Sequence, residues 1–136
     1  MERMISPMKL QTSTTIDRIT LLSEQLDQLY RSMKAERQAI ALWEEEQPFS
    51  ILGVLELFAG DIQGYGEQLI SHSIVMNPNE DLLRLRKLDI FDIDYFASWY
   101  FTNLDHHPQV KQYIEHLDYL RLLMIEHCLI QISIAA

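Results

Sequence analysis

An all-α fold, arranged as an up-down-up-down four-helix bundle, is the architecture this sequence predicts, and three observations predict it. Apolar residues recur in steps of three and four through four long segments. Short breaks at 44–48, 77–78 and 106–108 divide those segments, and short links between long helices favour antiparallel neighbours. Hairpin signals such as Asn-Gly and Asp-Gly are absent.

The first segment runs from Thr14 to Trp43. Thr14 is placed to cap it, with Asp17 three residues on in a variant of the capping box. Ile19, Leu22, Leu26, Leu29, Met33, Ile40 and Trp43 hold a heptad rhythm that only Glu36 interrupts. Glu44, Glu45 and Glu46 oppose the macrodipole at a helix C-terminus, so the helix is expected to stop there, before Pro48.

The second segment, Ser50 to Met76, contains all four glycines of the chain. Ile51, Leu55, Phe58, Ile62, Tyr65, Leu69, His72 and Met76 form one face that passes through them without losing phase, which predicts a continuous helix. Gly53, Leu57, Gly60 and Gly64 form a second stripe on roughly the opposite side. A glycine inside a helix costs about 0.5–1 kcal/mol relative to alanine. Gly53, Gly60 and Gly64 are therefore expected to serve close helix packing.

Asn77-Pro78-Asn79-Glu80 is a helix start, with Asn77 as cap and proline in the first turn. The third segment extends towards Leu104 and is expected to divide near residues 89–92, where Asp92 is placed to cap a fresh helix. Asp105 or His107 caps the fourth segment, which Pro108 opens and which runs to the C-terminus. Tyr113, Leu117, Leu120, Met124 and Cys128 share a face there, and from Leu122 to Ala136 only Glu126 is charged, which predicts a central helix or a homodimer interface.

A length of 136 residues with 48% apolar content fits one domain with a real core, taken as residues 12–136 behind a loose leader at 1–11. The true start is open among Met1, Met4 and Met8. Cys128 is the only cysteine, so no intrachain disulfide forms and a cytoplasmic setting is expected. No apolar run approaches the roughly 20 residues of a membrane span, and no membrane partner is expected. Net charge is −9, and residues 44–83 carry eight acids and no base. Binding to a phosphate backbone needs clustered Lys and Arg, so direct nucleic-acid binding is not expected, whereas an acidic domain suits a basic partner.

Chemistry-bearing motifs are sparse. No Glu-x-x-His, His-x-x-x-His or His-Glu-x-x-His occurs among the five histidines, and no metal or cofactor is expected. The glycine stretch lacks the lysine and flanking strand of a phosphate loop. Cys128 directly follows His127, and helix neighbours do not face each other, so no nucleophilic pair is expected there. Arg121 and His127 form Arg-x5-His on the last helix. This resembles the Arg…His pair of small all-α ribonucleases of the HEPN type, though the polar residue common after the arginine is Leu122 here. The resemblance covers these two residues and implies proton transfer and phosphate-charge handling during RNA cleavage.

The strongest interaction signal is Asp89 to Asp105. Asp89, Asp92, Asp94 and Asp105 interleave with six aromatics, from Phe91 to Phe101. One helix face cannot bury them all. Ile93, Phe96, Tyr100 and Leu104 form a core stripe, leaving Tyr95 and Trp99 beside the acids on another face. Aromatic anchors ringed by charge are the composition of binding hot spots. Asp89, Phe91, Asp92, Asp94, Tyr95 and Trp99 are thus the expected partner-binding residues. Three functions follow as expectations: a non-catalytic binder of a basic protein (inhibitor or immunity protein, antitoxin, or chaperone-like adaptor), a HEPN-like ribonuclease, or a homo-oligomerisation module.

Overall fold

Proline fits the first turn of a helix because that position has no intrahelical acceptor for an N–H, and Pro7, Pro78 and Pro108 each open one here. The computed structural model describes residues 7–72, 77–103 and 105–135, which form six α-helices and one 3-10 turn, with no strand among them. They are α1 (Pro7–Ser32), α2 (Lys34–Glu44), α3 (Ile51–His72), α4 (Pro78–Lys87), the turn Ile90–Asp92, α5 (Asp94–Thr102) and α6 (Pro108–Ala135). The described residues are therefore all-α, with six helices in place of the four predicted.

The first difference lies at the N-terminus. Helix α1 begins at Pro7, so residues 7–11, assigned above to a leader, are helical, and Thr14 sits inside the helix rather than capping it. The second is a bend at Met33, whose φ of −94° and ψ of 17° separate α1 from α2. The backbone ladder continues on both sides, from Met33 N to Leu29 O at 3.0 Å and from Arg37 N to Met33 O at 2.9 Å. A bend disturbs carbonyls, and polar side chains nearby stabilise it. Here the Ser32 hydroxyl donates to Leu29 O at 3.0 Å and the Arg37 guanidinium donates to Tyr30 O at 3.1 Å. The Arg37 guanidinium also lies 3.9 Å from the centre of the Tyr30 ring.

Beyond the bend, α2 satisfies the open N–H groups of two other helices. The first N–H groups of any helix have no partner within it. Glu36 Oε1 accepts from Gln109 N and Val110 N, both at 2.9 Å, and so caps α6. Glu44 Oε2 accepts from Ile51 N at 2.8 Å and Leu52 N at 3.1 Å, while its Oε1 accepts from the Ser50 hydroxyl at 2.8 Å. Ser50 Oγ in turn accepts from Gly53 N at 2.9 Å, completing the first turn of α3. Glu36, which interrupts the heptad of its own helix, thus replaces the side-chain cap expected from Asp105 or His107. Glu44 stands against the dipole of α2 but at the favourable end of α3.

Helix α3 is continuous through Gly60, Gly64 and Gly66. Ile51, Leu55, Ile62 and Leu69 are buried on its regular face, with Phe58 and Tyr65 half-buried beside them. Met76 and the His72 side chain lie outside the described residues. The third segment divides as predicted, around the turn at Ile90–Asp92, but Ile93 rather than Asp92 occupies the cap position of α5. Helix α6 packs against α1, α2, α3 and α4, and its face from Tyr113 to Cys128 lies in the core with Ile19, Leu26, Ile40, Ile62 and Leu85.

Replacing an N-cap acceptor by alanine typically costs about 0.5–2 kcal/mol. Glu36→Ala should lower stability to urea by that amount although it removes no apolar contact. Glu36→Gln, which keeps an acceptor and loses the charge, should cost about 0.3–1 kcal/mol. Urea midpoints equal to wild type for both would show that α6 does not depend on this cap.

Candidate partner-binding surface

The segment 88–104 divides into an inner and an outer set of side chains. Trp99 is 7% exposed, packs on Phe96 at 5.9 Å between ring centres, and stacks on the His107 imidazole at 6.1 Å and 17°. Phe91 is half-buried against Phe96, Tyr100 and Phe101. Phe96 and Tyr100 belong to the core as the sequence predicts, and Leu104 lies outside the described residues. The expectation that Trp99 faces a partner is therefore corrected, because the six-residue break at 88–93 lets α5 place its indole against His107, beside the α6 N-terminus.

Asp89 also has an internal duty. Its Oδ1 accepts from Phe91 N at 3.1 Å, and its Oδ2 lies 3.9 Å from the Arg121 guanidinium. Arg121, 7% exposed, donates to Asp118 Oδ1 at 3.0 Å and to Leu85 O at 3.2 Å. The guanidinium fills the C-terminal end of α4, where unpaired carbonyls favour a cation. Tyr65, Asp81 and Cys128 form a second internal group. The Tyr65 hydroxyl donates to Asp81 Oδ2 at 2.8 Å and lies 3.7 Å from Cys128 Sγ. Burial, then Asp81, pushes the Tyr65 phenol up, and burial likewise pushes the Cys128 thiol up, so neither is a ready nucleophile.

What remains outside is an aromatic row built from three parts of the chain. Tyr95, 37% exposed, stacks on Phe49 at 4.6 Å and 29°, and Phe49 meets Trp43 edge-on at 6.4 Å. Trp43 is 43% exposed rather than in the core, where its heptad position had placed it, because the heptad register does not carry across the non-helical Met33. Leu42, Glu45, Glu46, Asp92 and Asp94 are exposed on the same short elements. Residues 38–83 and 88–110, which supply the row and its surroundings, contain no Lys or Arg. Of the six expected partner-binding residues, Asp92, Asp94 and Tyr95 thus sit outside with Trp43, and the half-buried Phe49 lies between the Trp43 and Tyr95 rings. Asp89, Phe91 and Trp99 serve the fold. The signal for Phe49 was its place after Pro48, in a loop where an aromatic has no helix face to join.

The glycine stripe is open at Gly60 and Gly64 but not at Gly53. A Cβ at Gly60 or Gly64 would meet nothing within 4 Å, and at Gly53 it would come 2.9 Å from Ser50 Oγ. Only Gly66 faces the interior, towards Met124, Ser23 and Ile19. Packing within the chain is therefore not the role of Gly53, Gly60 and Gly64. Gly60 and Gly64 floor a groove of about 350 Å³ with Tyr65, Arg84, Leu85 and Leu88. Gly60 also borders a second groove of about 550 Å³ with Asp27, Tyr30, Glu56 and Tyr113.

The Arg121–His127 pair is not presented to a substrate. Arg121 is engaged as described, and His127 is 0% exposed with no hydrogen-bond partner for either ring nitrogen. Among the described residues no three His, Cys, Asp or Glu side chains gather to hold a metal ion, and no helix is long and apolar enough to cross a membrane. Comparison with known proteins finds no match to any family, any curated protein or any solved structure.

Two outcomes follow. Gly60→Ala and Gly64→Ala should each raise stability to urea by about 0.5–1 kcal/mol, since the methyl enters open space. Gly53→Ala should not, because it displaces the Ser50 cap; equal gains at all three sites would contradict this. Burial holds the His127 imidazole below its ordinary value of 6.5. The unfolded chain then binds a proton that the folded chain refuses. Stability is accordingly lost as pH falls below 6.5, by up to about 1.4 kcal/mol per pH unit for one proton. Thermal melts between pH 7 and 5 should show a shallower loss for His127→Leu than for wild type.

Proposed function

We propose that this chain is a non-catalytic binding protein that docks a basic protein partner through the Trp43–Phe49–Tyr95 row. The observation that carries the reading is that row, with Trp43 and Tyr95 exposed and joined through the half-buried Phe49, exposed acids at Glu45, Glu46, Asp92 and Asp94 close by in sequence, and no Lys or Arg in residues 38–83 or 88–110. Large aromatics provide most of the affinity at a typical interface, while charge at the rim steers approach and rejects partners of the same sign. Binding of this kind acts by covering the partner's surface, as an inhibitor, an immunity protein, an antitoxin or a chaperone-like adaptor would. The sole cysteine, buried and unpaired, fits work in the cytoplasm.

The HEPN-like alternative has weaker support, because its two residues are buried and Arg121 is already paired. It retains a simple check, since RNA cleavage by the pure protein that is lost in His127→Ala would restore it.

Affinity capture from the native host, with mass spectrometry, should return a basic protein. Trp43→Ala with Tyr95→Ala should weaken its binding by roughly 30-fold or more, the scale of a lost hot spot. Asp92→Asn with Asp94→Asn should slow association and reduce its salt dependence. Both variants should keep the wild-type helix content. A captured protein bound equally well by both variants would sink the proposal.

A further inference from the structure

The groove of about 550 Å³ between α1 and α3 gathers unpaired charges of both signs over an aromatic floor. Asp27, Tyr30 and Arg31 line it from α1, Glu56 and Gln63 from α3, and Tyr113 from α6. Tyr113 is 2% exposed and forms the floor, with its ring 5.9 Å from that of Tyr30. Gly60 leaves the α3 wall open, since a Cβ there would meet nothing within 4 Å.

The charges at this groove are not used by the fold. Asp27, Arg31 and Glu56 are exposed, and among the described residues none of the three forms an ion pair. Asp27 and Arg31 stay apart although they are four residues apart on α1, a spacing at which acid and base commonly pair. The nearby Arg37 is already engaged, over the Tyr30 ring and on Tyr30 O. The Tyr113 hydroxyl donates to Gln63 Oε1 at 3.3 Å, which leaves its oxygen free to accept. Burial, then Tyr30 and Asp27, push this phenol up to about 12, with Glu56 adding to the rise and Arg37 opposing it. The two carboxylates, from different helices, thus act on one hydroxyl at the bottom of the groove.

Charge indicates the class of ligand. Two free carboxylates and one free guanidinium repel a simple anion, and a simple diamine leaves Arg31 unanswered. A ligand with two cationic groups and one carboxylate answers all three. In a basic α-amino acid the ammonium and the carboxylate leave the same carbon, so they can address Asp27 and Arg31, about 6 Å apart on the face of α1. The methylene chain then crosses Tyr113 towards Glu56 on α3, and the phenol oxygen accepts from a passing ammonium.

We infer that this groove binds a free basic α-amino acid of the lysine type, with its head group on Asp27 and Arg31 and its side-chain ammonium on Glu56. The groove shares no residue with the aromatic row, so the two sites stand or fall separately.

Titration of the full chain with L-lysine, followed by amide NMR shifts, tests this. Saturable shifts should centre on residues 27–31 and 56–63. Cadaverine, which lacks the carboxylate, and L-norleucine, which lacks the side-chain ammonium, should each bind roughly 10-fold more weakly or worse, the scale of one lost charged hydrogen bond. Glu56→Gln should remove the preference for L-lysine over L-norleucine, and Arg31→Gln the preference over cadaverine. Gly60→Leu, whose side chain enters the open groove, should abolish binding with helix content unchanged. Asp92→Asn with Asp94→Asn should leave it intact. The inference is overturned if no saturable shift occurs, or if cadaverine binds as tightly as L-lysine and shifts acidic residues over the whole surface. Binding of L-lysine that Glu56→Gln and Arg31→Gln both leave unchanged overturns it too.

Discussion

The first N–H groups of a helix have no acceptor within it, and in this chain one short helix supplies acceptors for two others. Helix α2 sends Glu36 to α6 and Glu44 to α3. A carboxylate there gains twice, from hydrogen bonding to unpaired donors and from the positive end of the helix dipole. The arrangement requires α2 to leave the line of α1, which the bend at Met33 allows. It also requires each carboxylate to be where an apolar side chain would otherwise continue the helix face, or at a C-terminus where a lone acid is unfavourable.

The candidate surface depends on the same caps. Glu44 and Ser50 hold the turn between α2 and α3 closed. Phe49 sits in that turn, between Trp43 at the end of α2 and Tyr95 at the start of α5. One turn further along α5, Trp99 lies on His107, next to the α6 N-terminus that Glu36 caps. Arg121 joins α6 to the end of α4 and to Asp89, which sets where the break before α5 begins. A buried guanidinium in contact with two carboxylates and a carbonyl is costly to disrupt from one side.

Much of the fold was legible in residue spacing. The core faces of α1, α3 and α6 follow the predicted steps, and α3 passes unbroken through its glycines because the apolar phase does. The proline-marked starts at Pro78 and Pro108 and the division near 89–92 were also legible, since they rest on local backbone chemistry. The candidate surface was half legible. Asp92, Asp94 and Tyr95 are outside as composition suggested, whereas Asp89 meets Arg121, 32 residues on, and Trp99 meets His107 across the turn before α6. The glycine stripe misled for a related reason. The cost of glycine in a helix says that something must offset it, but not whether the benefit lies inside the chain, and here the space beside Gly60 and Gly64 is a groove.

The sequence by itself determined the helical class, the faces that form the core, and the uneven spread of charge, because periodicity, helix-start chemistry and composition act over a few residues. Only the tertiary structure decided which acids cap helices and which remain free, where the first segment bends, and which aromatics meet across Trp43, Phe49 and Tyr95. Part of each outcome depends on contacts beyond one helical turn, and some join residues tens of positions apart, as Phe49 with Tyr95 and Asp89 with Arg121. Glu36 reads as an interruption in its own helix, and its role appears only when the α6 N-terminus, 73 residues away, is brought against it.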